Sequence, residues 1–477
     1  MRAFPRLIVL VWTFVALPFT FLGFGSDPDA WLVASTAYRM QSTGAYACSR
    51  STCFPLHEIL STPLVLASDL MPFHNPLALA DQWYLSNLLS LAAGMACLLA
   101  LFRLSRGSEF HQPLWVVVTF GFLPVVLKNS ASTMDYLPAL ALLIWAYVFM
   151  REEKWLAAAL LIGLACGSRP SSGLFLLPVS VYAWQTEHRP ALVIKMWVIG
   201  GLSALLAYSP VLITRGIPNP APGVAWGLKT TLLAGGYYAL RLFGILQSLV
   251  LVGVLGYLLF RALKAGGFRD TWLVFHLVNL AVWIVLFIWM PAEPEYLLPL
   301  VPSVIFLLDR LAGRKTLIVL TVLLLSYHLV QFDLLGGESG KRLFEPAVQP
   351  GFTIQDVQDR LWKLSTRRAA SQYQAVEPTL LMYGMEWILP GNPAWEYDTD
   401  HKLYRQVDGQ LYLSGRIMNE AFLRQLKSDG FRIYAWQGEK SEYIRSGNTY
   451  WQIYAEVIDD LSAFFSVPLV GKALNQR

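Results

Sequence analysis

The chain has 477 residues, of which 55% are hydrophobic and only 14% charged, with a mean hydropathy of +0.46. That is far more apolar surface than one water-soluble core can hide, which excludes a soluble globular domain and indicates a polytopic membrane protein. The net charge of +5 is accounted for by basic loops on one face of the membrane, so it gives no reason to propose nucleic-acid binding.

Apolar windows near the ~20 residues that cross a bilayer run along the first two thirds of the chain. In order they are Phe4 to Phe24, Trp83 to Leu104, Pro113 to Leu127, Tyr136 to Met150, Trp155 to Gly167, Ser172 to Gln185, Leu192 to Ile213, Tyr237 to Phe260, Trp272 to Met290, Tyr296 to Leu308 and Leu317 to Phe332. The expected architecture is therefore an α-helical polytopic membrane protein of about eleven transmembrane helices, residues 1–333, with a first outer loop over 25–82. Leu56 to Met71 is interrupted by Glu58, Pro63 and Asp69 and followed by Pro72; as a span it would put Arg103 and Arg106 outside, so it is placed on the membrane surface. Trp155 to Gly167 and Ser172 to Gln185 are each short, and Gly167-Ser168-Arg169-Pro170 is equally readable as a kink in one helix, which would reverse everything downstream.

Orientation follows from Lys and Arg. A cytoplasmic N-terminus puts Arg2, Arg6, Arg103, Arg106, Arg151, Lys154, Arg189, Lys195, Arg261, Lys264, Arg269, Arg310, Arg314 and Lys315 on the inner side, as the positive-inside rule expects. The first span lacks a small-residue cleavage site before Ser26 and reads as a retained anchor. An odd number of spans leaves residues 334–477 outside as a C-terminal extracytoplasmic α/β domain. There Thr379 to Tyr383 and Phe431 to Trp436 read as strands, Leu403 to Leu413 as a hairpin around Asp408-Gly409, and Asn419 to Lys427 as a helix. Cys48 and Cys53 share the first outer loop, where an oxidising compartment could join them; Cys97 and Cys166 fall inside spans.

A charged group near lipid is costly unless it faces water or a partner, so the acids at outer helix ends are the first candidates for function. They are Asp27, Asp29, Glu58, Asp135, Glu293 and Glu295. Asp27 and Asp29 open an amphipathic stretch ending at Thr43-Gly44, and helix capping accounts for either of them as readily as chemistry does. Asp135 falls just beyond the third span, on the same face as Asp29, so that two acids remote in sequence can share a cavity. His57-Glu58 offers metal-ligand types without a further His at ligand spacing.

Asp29 to Glu58 resembles the first outer loop of the GT-C superfamily of membrane glycosyltransferases, which includes the aminoarabinose transferases and the protein O-mannosyltransferases. The resemblance rests on Asp29 after the first span, Ala37 eight residues on, Thr43-Gly44 and Tyr46, then Ser49-Arg50-Ser51-Thr52-Cys53-Phe54-Pro55-Leu56, with Cys53 where glycine is usual. It continues through Asn129-Ser130 to Asp135, Gly163 to Pro170, and Glu295-Tyr296-Leu297-Leu298-Pro299, with Glu295 where related chains often carry Arg. It covers the membrane part and not the tail.

What the resemblance implies is inverting transfer of a sugar from a polyprenyl-phosphate donor to a hydroxyl of a glycan, lipid or protein acceptor, outside the cell membrane, as part of cell-envelope glycosylation. Asp29 and Asp135 are then the expected catalytic pair, Asp29 as base. Arg169 is the leading contact for the departing lipid phosphate, with Arg50, Arg215 and Lys229 behind it. Asp27, His57, Glu58, Glu293, Glu295 and Tyr296 complete the expected substrate contacts. A divalent cation is the one cofactor left open. A secondary transporter or lipid flippase is the rival from another class, although no internal repeat or mid-span acid is evident; a noncatalytic subunit that kept the scaffold is the third reading.

Overall fold

Proline punctuates the apolar runs, and most helices begin at or near one, where the missing N–H leaves no bond unmade. The computed structural model describes residues 4–50, 52–71, 83–107, 112–216, 228–290, 293–333 and 347–373, together with six strands of the C-terminal tail. Among the described residues sixteen helices follow in chain order: α1 Phe4–Ala16, α2 Pro28–Thr43, α3 Pro55–Asp69, α4 Asn87–Ser105, α5 Pro113–Gly121, α6 Pro124–Ser130, α7 Tyr136–Arg151, α8 Trp155–Cys166, α9 Leu176–Glu187, α10 Pro190–Arg215, α11 Leu228–Arg241, α12 Ile245–Lys264, α13 Thr271–Trp289, α14 Val301–Leu311, α15 Arg314–Ser326 and α16 Phe352–Tyr373. Among the described residues, α4, α10, α12 and α13 are long and apolar enough to cross a membrane, and α5 with α6, bent by 64°, makes a fifth if counted as one span. The protein is a mainly helical, multi-pass membrane protein.

Several expected spans are not single helices. Phe4 to Phe24 divides into α1 and a 3-10 turn, Leu17–Phe21, with Pro18 in its first turn. Pro113 to Leu127 breaks before Pro124. Tyr237 to Phe260 is interrupted between α11 and α12, where Gly244 takes a φ of 92° that a side chain would resist. Ser172 to Gln185 and Tyr296 to Leu308 both begin in 3-10 turns, Pro170–Phe175 and Pro294–Leu300. The last span ends early: after α15 the chain turns extended, and β1, Val330–Asp333, pairs antiparallel with β2, Ala347–Pro350. Leu56 to Met71 forms α3, and α8 and α9 are separate helices rather than one kinked rod.

The bundle interlocks through small residues. α8 and α10 approach so closely that a Cβ on Gly163 would lie 2.3 Å from the Gly200 carbonyl oxygen, the backbone-to-backbone contact that lets helices associate where lipid removes the hydrophobic drive. Trp12 of α1, fully buried, donates its indole N–H to the Gly121 carbonyl at 2.6 Å, and a Cβ on Gly94 of α4 would meet its ring at 2.4 Å. α4 packs on α7, α7 on α8 and α2 on α3, leaving the loops after α1 and α6 together at one end of the bundle.

In the tail, β3 Thr379–Leu381 runs parallel to β7 Arg432–Lys440, which pairs antiparallel with β8 Trp451–Val457. β4 Trp395–Asp398, β5 Leu403–Gln406 and β6 Leu411–Leu413 form an antiparallel sheet in that order. The helix expected over Asn419 to Lys427 lies outside the described residues.

Candidate functional site

Four segments bring charge to one place. Asp27 caps α2, its carboxylate accepting the Asp29 N–H at 2.9 Å, and Pro28 starts the helix; that turn presents Asp29. Thr133 N–H donates to the Phe24 carbonyl at 2.7 Å and so holds the loop before α7 against the loop before α2. Asp135 precedes the first residue of α7 in that loop.

The third segment is the turn carrying Arg50. Glu58, at the start of α3, accepts the Ser49 N–H at 2.7 Å and the Phe54 N–H at 3.1 Å, and also bonds the Ser49 and Tyr46 hydroxyls. Both its oxygens are thereby engaged in shaping the turn, and only 1% of the residue is exposed, so Glu58 serves the loop rather than facing a ligand. A disulfide joins Cys48 and Cys53 across the same turn. Cys53 has a φ of 51°, the left-handed region in which glycine is at home.

The turn delivers Arg50 between the two acids. Its guanidinium donates to Asp29 at 2.7 Å and to Asp135 at 2.6 Å, and Arg169, just before the 3-10 turn at Pro170, donates to the other oxygen of Asp135 at 2.6 Å. Aromatic faces cover the cations: Arg50 sits 4.0 Å from the Phe54 centroid, and Arg169 sits 3.8 Å from Tyr136 and 4.9 Å from Tyr296. Two acids 106 positions apart in the chain are thus joined by one arginine.

Their environments differ. The Asp135 side chain is 0% exposed and that of Asp29 19%. Burial alone would raise Asp135, but Arg169 and Arg50 on its two oxygens hold it down at about 2. Asp29 is pushed above the usual carboxylate range, first by burial and then by Asp27 and Asp135, against the pull of Arg50. A pair of carboxylates driven apart in this way separates a permanent anion from a group able to exchange a proton.

Beside this cluster Lys128, at the end of α6, pairs with Glu295 at 2.8 Å, and Tyr136 donates to Glu293. Glu293 is raised to about 8 by burial, then by Asp27, Glu295 and Asp29. A small cavity is lined by Arg169, Tyr136, Leu140, Leu143, Trp283, Glu295 and Tyr296. Lys128 and Tyr136 are absent from the expected site residues; a lone lysine in the apolar stretch Pro124–Ser130 was the signal for the first.

Other expected residues stand apart from Asp29 and Asp135 or take another part. Arg215 is exposed at the end of α10, and its charge reaches Tyr46. Lys229 falls in α11, but its side chain lies outside the described residues. His57 is fully buried, lies 3.4 Å from the Ser61 hydroxyl, and is lowered to about 4 by burial, with Asp135 opposing and Arg50 assisting. Among the described residues no group of three or more His, Cys, Asp or Glu side chains is placed to hold a metal ion.

No protein-family model matches the chain, and no curated protein sequence matches it. Solved structures similar to it include ArnT from Cupriavidus metallidurans in the apo state, at 16% identity and a TM-score of 0.42 over 65% of this chain and 60% of that one. ArnT from the same organism bound to undecaprenyl phosphate is similar at 14% identity and a TM-score of 0.44, over 76% of this chain and 72% of that one. The chain thus spans less than two thirds of the length of the first.

Proposed function

We propose that the protein is an inverting glycosyltransferase that moves a sugar from a polyprenyl-phosphate donor to an acceptor hydroxyl on the extracytoplasmic side. The observation that carries the reading is the Arg50 guanidinium held between Asp29 and Asp135, with Arg169 behind it. Removing one partner of a buried ion pair costs far more than an apolar replacement of both, so such a cluster is weak evidence for stability and is better explained by chemistry. Arg50 also keeps a buried Nε–H without a partner among the described residues, a spare donor for an anion.

The steps follow from charge. A lipid phosphate entering beside Arg50 and Arg169 competes with Asp29 for Arg50 and frees it. Asp29 then takes the proton of the acceptor hydroxyl, whose oxygen attacks the anomeric carbon from the face opposite the phosphate. The bond from that carbon to the phosphate oxygen breaks, and its electron pair leaves on the polyprenyl phosphate, which the two arginines neutralise. Asp135, anionic throughout, orients both arginines.

In this reading residues 1–333 form a catalytic membrane unit of eleven spans with a cytoplasmic N-terminus, and 334–477 form an extracytoplasmic α/β domain. The test is to incubate the purified protein with a panel of polyprenyl-phosphate sugars and acceptors and to measure acceptor-dependent release of lipid phosphate. Release from at least one donor that is lost in Asp29→Asn is the expected result; no release, or parental release by Asp29→Asn, overturns the assignment.

A further inference from the structure

The first helix after the apolar segments reaches back into the acid-bearing loops. Arg360 of α16 is 0% exposed, and each of its five N–H groups has an acceptor. Nε donates to Asp356 at 2.8 Å, one terminal nitrogen to the Ala131 carbonyl at 2.7 Å and the Phe19 carbonyl at 3.5 Å, and the other to the Ser132 hydroxyl at 2.6 Å and the Lys128 carbonyl at 3.1 Å. The remaining oxygen of Asp356 accepts the Ser26 hydroxyl. One ion pair on α16 therefore grips the stretch three residues before Asp135 and the residue three before Asp29.

The helix is itself fixed. A Cβ at Gly351 would lie 2.3 Å from the His328 carbonyl carbon, so only glycine lets the chain pass there; the Phe352 N–H donates to the Tyr327 carbonyl at 2.9 Å, and Thr353 hydrogen-bonds the His328 ring at 2.6 Å. α16 is thus seated on the membrane unit independently of Arg360. A plug that only filled space would not need a planar fork aimed at three carbonyls and a hydroxyl.

We propose that Arg360, braced by Asp356, is a positioning residue that sets the spacing between Asp29 and Asp135 and so couples the post-membrane segment to the transfer site. This rests on the reading of those acids as transfer machinery. A displacement of about 1 Å at a reacting group is enough to lower a rate by about 10²-fold, so the pair acts on turnover without touching substrate.

The test uses the full-length protein with Arg360→Lys, Arg360→Gln and Asp356→Asn, and with Ile354→Ala, an exposed position on the same helix, as control. Hydrogen exchange over residues 124–136 and 22–31 is expected to speed up in the three clamp variants and to stay parental in the control. With a working donor, kcat per folded molecule is expected to fall about 10- to 10²-fold while KM for the donor stays within about twofold. Unchanged exchange in both segments, or parental kcat in Arg360→Lys and Asp356→Asn, overturns the proposal. Should the parent protein transfer sugar from no donor, the transfer reading fails while exchange still judges the clamp. If Arg360→Gln does not fold, the other two variants decide.

Discussion

Two of the buried polar clusters among the described residues of the helical bundle are built differently. One joins α7, α13 and α14: His276 hydrogen-bonds Tyr147 at 3.0 Å and Ser303 at 2.8 Å, Asn279 donates to Ser303 at 2.9 Å, and Trp283 donates to Asn279 at 3.0 Å. It contains no carboxylate and ties neighbouring helices by side-chain hydrogen bonds, a role that accounts for polar residues between membrane helices. The other gathers Asp29, Asp135, Arg50 and Arg169 at the end of the bundle, where Arg50 is shared between the two carboxylates, Arg169 pairs with Asp135, and each arginine is capped by an aromatic face. The difference is that the first network joins neutral groups, whereas the second shares one guanidinium between two carboxylates and leaves the Arg50 Nε–H without a partner among the described residues.

The sharpest way to break that contrast is Asp29→Asn. It keeps the shape and removes the base, and kcat is expected to fall about 10²- to 10⁴-fold; parental turnover in a donor-panel assay would put the charged cluster on the same footing as the neutral one. Next is Arg169→Ala, which leaves Asp135 with Arg50 alone. Lipid-phosphate binding, followed by the fluorescence of a labelled polyprenyl phosphate, is expected to weaken by at least tenfold, about 1.4 kcal/mol. The thermal midpoint should also drop, because a buried charge has lost a partner.

On the other side of the comparison, Ser303→Ala removes a hydroxyl shared by His276 and Asn279. About 0.5–2 kcal/mol of stability should go, read from the thermal midpoint in detergent, with kcat unchanged. A fall in kcat equal to that of Asp29→Asn would erase the distinction between the clusters. The smallest effect concerns Glu293, which is neutral below about 8 and gains a negative charge above it. A carboxyl raised in the folded state favours the protonated form, so stability and anion affinity are both lost as pH rises through that value. Glu293→Gln should remove the alkaline limb from a profile of lipid-phosphate affinity against pH, and an identical profile in the variant would reject the assignment.

Much of this protein could be read from composition and spacing. Membrane class follows from mean hydropathy alone, because apolar surface on this scale has nowhere else to go. Asp29 and Asp135 stand out in the sequence because a charge at a helix end near lipid is costly and needs a reason, whereas Arg50 and Arg169 were reached only through the family resemblance. Capping by Asp27 was one of the two readings its position before Pro28 allowed, and it is the one the geometry adopts. Helix ends were harder: hydropathy averages over a window, so it passed through the bend before Pro124, the Gly244 break and the turn into β1.

The partners of each charge were beyond reach of any such reading. That Arg50 lies against both acids, that Lys128 meets Glu295 and that Arg360 reaches Lys128 and Ser132 all depend on contacts between segments tens to hundreds of positions apart. Solvation and helix periodicity are local properties that each stretch of chain carries with it, so they set where the lipid is and which residues are expensive there. Pairing is not local: a guanidinium binds whichever carboxylate the packing of other helices brings within about 3 Å, and that is settled only when the bundle closes.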